Sequence, residues 1–409
     1  WGIVESWSIC PEAYKFCMVR PEGMNYFDYV RKYEDLKKTF NPVKFNPEKW
    51  AGAAEYAGMK YVVFTTKHHD GFNMYDTQYS DYKITDVECP FHTDANADIA
   101  KRIFDAFRGK GMMAGAYYSI ADWNNNDYWW DYFATPNRNV NYKIERHPEK
   151  WEAFKTYTHN QIGELMSNYG TIDILWLDGG WVSPRNNQDI DMPQIAAMAR
   201  AKQPGLLVVD RTIHGKYENY QTPEQKIPEH QLPYPWESCV TLTTDWGWVK
   251  NPVYKTPNRI ISILMEVVAK GGNLLLGVGP TAEGLIEQPT VKRLQEIGRW
   301  MQKNGKAIYH TRITPNYHCG NVWFTADKNG RTLYALYALP EGETLPAVIE
   351  WEGNVPERGT SVRLLSTGQR MKWIERDGKV AVTLPAKLAG STEPIALQFD
   401  TPLPKQNKK

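Results

Sequence analysis

Residues 172–178 (IDILWLD) form a short apolar run that ends in a carboxylate, and this pattern indicates a strand of a parallel sheet. Runs of the same kind recur along the first 310 residues: 60–66 (KYVVFTT), 112–119 (MMAGAYYS), 206–210 (LLVVD) and 273–278 (NLLLGV). Segments of helical periodicity separate them, which is typical of repeated βα units. No GxGxxG motif follows the first run, so a barrel is favoured over a dinucleotide-binding sheet. We predict an irregular (β/α)8 TIM-like barrel over residues 1–310.

From residue 311 onward the pattern changes to short alternating strands. Hairpin signals such as Asn329-Gly330 and Asp377-Gly378 join these strands, and no long helical segment separates them. We therefore predict a C-terminal antiparallel β-sandwich domain over residues 311–409.

The charge balance of the chain narrows its possible partners. Its 409 residues include 48 Lys and Arg against 47 Asp and Glu, a formal net charge of +1, so neither nucleic acid nor an anionic membrane is expected to bind. No apolar run reaches the roughly 18 residues of a membrane span, and the five cysteines lack the paired spacing of a zinc site. Aromatic residues make up 13% of the chain, a content that suits a hydrated ligand-binding pocket lined by amphipathic rings.

Carboxylates near predicted strand ends are the main catalytic candidates, because reactive groups of parallel barrels lie there. Asp178 closes its strand, and strand alternation places Trp176 on the same face. Glu237 lies in the ring-rich segment PYPWESCVT, where desolvation would raise its pKa and keep it protonated. Glu224, on the preceding loop, is a competing candidate. Arg211, which follows the LLVVD strand, would hold a carboxylate such as Asp178 ionised.

The segment TTKHHDGF places two adjacent histidines at the end of the first strand. Successive strand residues point to opposite faces, so His68 and His69 both face the pocket only if the chain turns, which Gly71 permits. Together with Asp178 they offer the ligand types of a metal site, and a metal-dependent hydrolase is one alternative. Adjacent histidines lack the spacing that aims both rings at one ion, however, and recognition of sugar hydroxyls accounts for the same residues without a metal.

An ordered set of motifs resembles the α-L-fucosidase family of retaining glycoside hydrolases: KYVVFTTKHHDGF, GAYYS, ILWLDGGW, VVDR, PWESC, DWGW and KGGNLLLGVGP. The resemblance covers residues 1–310 and the β-sandwich expected after them. It implies that Asp178 is the nucleophile and Glu237 the acid/base, although in some members a glutamate aligned near Glu224 takes the second role.

The same resemblance implies a set of sugar-binding residues. It comprises two histidines that bind fucose hydroxyls, a post-strand arginine, rings around the C5 methyl group, and approximate counterparts of a family Glu-Trp-Tyr motif. In this sequence these residues are His68, His69, Arg211, Tyr117, Trp176, Trp246, Glu5 and Trp7.

The activity that the resemblance implies is release of terminal L-fucose from an oligosaccharide or small-molecule α-L-fucoside by double displacement, with no metal or organic cofactor. The alternative from a different class is a non-catalytic fucose- or glycan-binding protein, against which the two carboxylates argue. Fucosidases act on glycans outside the cytosol, and the sequence contains no Asn-x-Ser/Thr sequon, so a bacterial periplasmic or secreted protein is expected, although the 409 residues contain no signal-peptide pattern. No sequence pattern indicates which fucosyl linkage is preferred or what the oligomeric state is.

Overall fold

The computed structural model describes residues 1–3, 6–9, 18–130, 138–211 and 214–401. Its first part contains a four-stranded parallel sheet in which the strands follow one another in chain order. The strands are β1 (Tyr61–Lys67), β2 (Met113–Ser119), β3 (Ile174–Asp178) and β4 (Leu207–Val209). A second parallel sheet contains β5 (Trp236–Thr241) and β6 (Gly272–Gly277).

The segment between β4 and β5 lies between the two sheets. Asn219 donates its backbone N–H to the Val208 carbonyl at 2.9 Å, and Glu224 forms an isolated parallel bridge with Cys239. Within the described ranges, the outer edges of β1 and β6 pair with no other strand. The predicted parallel α/β architecture is therefore present, while the strand ladders do not close into a complete barrel.

Helices alternate with these strands, as the sequence pattern predicts. They are α1 (Tyr26–Glu34), α2 (Pro47–Tyr56), α3 (Ile99–Gly109), α4 (Pro148–Asn168), α5 (Met192–Lys202), α6 (Pro257–Ala269) and α7 (Gln288–Asn304). Side-chain caps set several of their starts: Asn46 accepts the Lys49 N–H at 2.9 Å, and Asp98 accepts the Lys101 N–H at 3.1 Å. Among the helices that the structure describes, none is long and apolar enough to cross a bilayer.

Strand β3 shows why the site forms at one end of the sheet. Ile174 and Trp176 face an interior cluster, whereas Leu175 and Leu177 pack into the core on the other face of the sheet. Because side chains alternate along a strand, Asp178 shares the interior face with Trp176. The predicted alternation is thus confirmed.

The last part of the chain consists of antiparallel strands, as predicted. They are β7 (His318–Cys319), β8 (Val322–Ala326), β9 (Thr332–Tyr337), β10 (Val348–Glu352), β11 (Arg363–Leu364), β12 (Lys372–Arg376), β13 (Lys379–Thr383) and β14 (Ile395–Asp400). They form one sheet of order β11-β14-β9-β8-β7 and another of order β10-β13-β12. The Trp351 ring of β10 lies 5.8 Å from Phe324 and 5.7 Å from Phe399, so the two sheets pack face to face.

Strand β9 contributes to two cores. Its Leu333 and Ala335 side chains enter the core between the two antiparallel sheets, while Tyr334 and Leu336 pack against helices α6 and α7. Trp300 of α7 joins the second cluster and donates its indole N–H to the Pro394 carbonyl at 2.7 Å. The helices of the first part and the sheet of the last part therefore share one apolar core.

Candidate active site

Asp178 is the centre of the candidate site, at the carboxyl end of β3. The Tyr117 hydroxyl donates to its Oδ2 at 2.5 Å, and Arg211 Nη1 lies 3.3 Å from Oδ1. His69 Nε2 lies 3.6 Å from Oδ2. Burial alone would raise the pKa of Asp178, but the nearby His69 ring, the Arg211 charge and the Tyr117 hydroxyl together hold this pKa well below its usual range. Asp178 is therefore ionised, and 16% of its side chain is exposed to the cavity.

Arg211 connects two carboxylates. It follows β4 with a φ of +48°, a left-handed backbone conformation that non-glycine residues seldom adopt. While Nη1 faces Asp178, Nη2 binds the Glu224 carboxylate, and the guanidinium carbon lies 5.1 Å from the Trp176 ring centre. The Glu224 side chain is 44% exposed and lines the same cavity as Asp178. A half-buried carboxylate and a more exposed carboxylate thus share one guanidinium.

Glu237, the carboxylate that the resemblance names as acid/base, is buried at the end of a strand. It is the second residue of β5, near the amino end of the strand, and only 2% of it is exposed. Its Oε2 accepts the Tyr61 hydroxyl at 2.5 Å, and its Oε1 accepts the Trp176 indole N–H at 3.0 Å. Burial raises the pKa of Glu237, as the sequence predicts, while the two hydrogen bonds oppose the rise. Glu237 is not among the residues that line the cavity, because Tyr61 and Trp176 cover its carboxylate.

The two histidines both reach the cavity because the chain turns as predicted. The β1–β2 register shifts between Thr65 and Lys67, and Gly71, with a φ of +81°, donates its N–H to the His68 carbonyl at 3.1 Å. His68 then stacks on the Tyr117 ring at 5.7 Å. Burial and the neighbouring His69 lower the pKa of His68, so its ring is neutral and suited to hydrogen bonding with hydroxyl groups.

The ligating atoms of His68, His69 and Asp178 lie within 4.8 Å of one another, the only such group in the described part of the chain. Their composition suits a metal. The Arg211 guanidinium already supplies a positive charge to Asp178, however, and a divalent ion in the same cluster would be repelled by it. The geometry therefore favours an organic ligand over an ion between these residues.

Aromatic rings line much of the cavity, which has a volume of about 2010 Å³. Trp176 stacks on Tyr117 at 5.2 Å, and Trp7 contacts His69 edge-on at 5.6 Å. Trp246 lines the cavity and is 42% exposed. Of the predicted site residues, Glu5 lies outside the described residues.

Three further residues belong to this region but were not predicted from the sequence. Ser6 is hydrogen-bonded to His68 Nδ1, Arg138 lies 5.2 Å from the Trp181 ring centre, and Tyr61 binds Glu237. Only Tyr61 has a sequence signal, because it begins a strand with the parity that faces the interior. Ser6 and Arg138 lie in irregular segments whose paths no periodicity predicts.

The chain is similar in sequence to a known protein family. The chain matches the family model described as Alpha-L-fucosidase over residues 3–306. It is 28% identical over 417 residues to plasma alpha-L-fucosidase of Homo sapiens, a match that covers 94% of this chain and 83% of that protein. Tissue alpha-L-fucosidase of Mus musculus is also 28% identical, over 413 residues that cover 95% and 82% of the two chains.

Solved structures extend the similarity to the fold. Alpha-L-fucosidase isoenzyme 1 from Paenibacillus thiaminolyticus superposes with a TM-score of 0.77 at 32% identity, covering 91% of this chain and 90% of that chain. The Thermotoga maritima alpha-fucosidase in complex with a mechanism-based inhibitor superposes with a TM-score of 0.75 at 26% identity, covering 97% and 88%. The similarity therefore includes both the parallel strands and the antiparallel sheets.

Proposed function

Since the chain belongs to the alpha-L-fucosidase family, and is thus a retaining glycoside hydrolase that releases terminal L-fucose by double displacement, we propose that Asp178 is its nucleophile and Glu224 its acid/base. The observation that carries this assignment is the Arg211 guanidinium, which contacts both carboxylates at the cavity. Retaining glycosidases require two carboxyl groups about 5 Å apart, and a shared guanidinium supports a close pair.

In the first step, Asp178 Oδ attacks the anomeric carbon of fucose, and the bond from that carbon to the leaving oxygen breaks. Glu224 donates its proton to the leaving oxygen. In the second step a water molecule gives its proton to Glu224 and attacks the anomeric carbon, which releases Asp178 as a carboxylate. The two inversions at one carbon give net retention of configuration.

Arg211 accompanies the change of charge between the two carboxyl groups. Asp178 loses its negative charge when it forms the glycosyl ester, and Glu224 gains one when it donates its proton. A guanidinium that reaches both groups can stabilise the negative charge on either side of this step. Of the two carboxyl groups, Glu224 is the more exposed. Because an ion pair of an exposed carboxylate is weak, its side chain can leave Arg211 and turn toward a leaving group.

The sugar-binding roles follow from the surrounding side chains. We assign His68 and His69 to fucose hydroxyls, since their rings line the cavity beside Asp178. Tyr117, Trp176 and Trp246 supply apolar ring surface, which suits the C5 methyl group of a deoxy sugar and disfavours an analogue with a hydroxyl there.

We also propose that the parallel strands belong to an irregular TIM-like barrel ending near residue 310, followed by a β-sandwich domain that packs against helices α6 and α7. The support is the placement of Asp178 and Arg211 at carboxyl ends of parallel strands, the match of the family model to residue 306, and the similarity to known fucosidase folds. A periplasmic or secreted location is proposed because fucosylated glycans lie outside the cytosol. Fractionation of the source cells tests that location.

Hydrolysis of an aryl α-L-fucoside by the wild-type protein and by Asp178→Ala tests the proposed nucleophile. The substitution is expected to lower kcat at least about 10⁴-fold. Azide is expected to rescue the variant and to give the fucosyl azide of inverted configuration, since only one displacement then occurs. A wild-type protein that turns over no α-L-fucoside would overturn the function, and a fully active Asp178→Ala would overturn the nucleophile.

Glu224→Ala tests the acid/base. Its kcat/KM is expected to fall about 10²–10⁴-fold for substrates whose leaving group needs a proton, and much less for a dinitrophenyl fucoside. Azide is expected to give the fucosyl azide of retained configuration, because the nucleophile is intact and azide replaces water in the second step. Equal losses for both leaving groups, without a retained azide product, would contradict the assignment.

A further inference from the structure

Glu237 is a buried carboxylate with an environment unlike that of Asp178. Both of its oxygens are engaged, by the Tyr61 hydroxyl and the Trp176 indole N–H. In the part of the chain that the structure describes, it forms no ion pair with a cation. A carboxylate buried without a cation is costly, so a fold that retains one at this place needs a reason other than packing.

The Trp176 indole is where this carboxylate meets the active site. The ring is 2% exposed, stacks on Tyr117 with an interplanar angle of 21°, and lies 5.1 Å from the Arg211 guanidinium carbon. Tyr117 and Arg211 are the groups that contact Asp178, and Arg211 also contacts Glu224. Any rotation of the indole would therefore displace two partners of the nucleophile.

The hydrogen bond from Trp176 to Glu237 is what fixes this rotation. Stacking alone holds the plane of a ring but leaves it free to turn within that plane, whereas an N–H bond at 3.0 Å sets the direction of the indole edge. Tyr61, bound to the other oxygen, holds the carboxylate in turn. A chain of contacts thus runs from Tyr61 through Glu237 and Trp176 to the groups around Asp178.

We propose that Glu237 is a positioning residue, which with Tyr61 fixes the Trp176 indole against which Tyr117 and Arg211 are aligned for catalysis. The inference rests on the proposed roles of Asp178 and Glu224. It assigns no proton transfer to Glu237, so a neutral side chain of the same shape can replace it. A glutamine meets this condition, since its carbonyl can accept from the indole and its amide can donate to the Tyr61 hydroxyl.

The test compares Glu237→Leu with Glu237→Gln on an aryl fucoside and on a fucosyl disaccharide. The leucine variant is expected to lose about 10²-fold in kcat with KM changed less than about 3-fold, because a misaligned site loses transition-state contacts. The glutamine variant is expected to recover most of this loss on both substrates. Ser238→Ala is the matched control, because Ser238 is the next residue of β5 and its hydroxyl binds the Lys226 carbonyl at 2.7 Å, away from the indole.

Trp176→Phe identifies the route of the effect. It keeps a ring in the stack and removes the N–H donor. If Glu237 acts through Trp176, the two losses are not multiplied. The double variant Glu237→Leu with Trp176→Phe is then expected to be at least as active as the less active of the two single variants. The double variant also leaves no indole N–H unpaired, so it is expected to be more stable than Glu237→Leu alone.

Three results would overturn the inference. They are a glutamine variant that loses the disaccharide activity as completely as Glu224→Gln, a leucine variant that matches Ser238→Ala in kcat, and multiplicative losses in the double variant. A failure of the proposed function would look different, because the wild-type protein would then turn over no α-L-fucoside, and a failure of the proposed catalytic roles would leave Asp178→Ala or Glu224→Gln active.

Discussion

Asp178 and Glu237 are two carboxylates on neighbouring parts of one parallel-stranded structure, and both are largely removed from water. Asp178 faces a guanidinium, an imidazole and a phenol, and its pKa is held well below the usual range. Glu237 is hydrogen-bonded to a phenol and an indole and, among the described residues, forms no ion pair, and burial raises its pKa. The difference teaches that burial does not by itself mark a catalytic carboxylate. What distinguishes Asp178, the proposed nucleophile, from Glu237, the proposed positioning residue, is the Arg211 guanidinium beside Asp178.

Arg211→Met would make the surroundings of Asp178 resemble those of Glu237, and of the changes that leave both carboxylates in place we expect the largest effect on activity from this one. Loss of the guanidinium is expected to lower kcat/KM about 10²–10³-fold. The pKa of Asp178 would rise, so the acidic limb of kcat/KM would move to higher pH. Profiles of kcat/KM against pH measure both effects.

Arg363→Met is a suitable control, since Arg363 lies in the last part of the chain and donates to the Gly368 carbonyl. An Arg211→Met variant with the activity and the pH profile of this control would break the comparison.

Stability against pH is expected to change with opposite sign for the two carboxylates. The folded-state pKa of Asp178 is lowered, so the ionised group stabilises the fold above its unfolded pKa of about 4, and this stability is lost as the pH falls. Asp178→Asn is therefore expected to lower the free energy of unfolding by about 2 kcal/mol near neutral pH, and by less at acidic pH. Chemical unfolding at several pH values measures the difference.

Glu237→Gln is expected to show the reverse trend. The raised pKa of Glu237 means that the fold pays an increasing penalty as the pH rises through the folded-state value, a penalty absent from glutamine. The stability of the variant relative to the wild type is therefore expected to increase as the pH rises from about 4 toward neutrality. If the stability of Asp178→Asn and that of Glu237→Gln, each relative to the wild type, changed with pH in the same direction, the two environments would not differ as described.

The smallest expected effect is that of chelation. If Arg211 supplies the positive charge beside Asp178, then prolonged dialysis against EDTA is expected to leave kcat and KM unchanged within error. Addition of zinc or magnesium to the dialysed protein provides the control. Loss of activity on dialysis, restored by a metal, would favour an ion bound by His68, His69 and Asp178 instead.

The sequence was a good guide wherever a residue ended a clear strand. Asp178 and Arg211 follow apolar runs of obvious length, and alternation alone paired Trp176 with Asp178. The motif around Glu237 predicts an apolar, ring-rich setting and a raised pKa, which the structure has, but it does not show whether the strand begins or ends there. In the structure the strand begins at Trp236, so the carboxylate lies at the amino end.

Glu224 illustrates a second limit of sequence patterns. It lies in a segment that makes isolated bridges rather than a strand, so no periodicity announces which way its side chain points. Its partner Arg211 has a left-handed backbone conformation, which non-glycine residues seldom adopt and which no sequence pattern predicts. The sequence could name Glu224 as a candidate but could not place it beside the nucleophile.

Strand β9, which presents Leu333 and Ala335 to one core and Tyr334 and Leu336 to another, bears on how the molecule can be altered as a whole. A chain that stopped after α7 would expose the Trp300 indole and deprive it of the Pro394 carbonyl. The antiparallel part is therefore not an exchangeable module, although its topology resembles one. Heating is expected to unfold both parts in a single cooperative transition. A catalytic part expressed without the antiparallel sheets would need another apolar surface to cover helices α6 and α7.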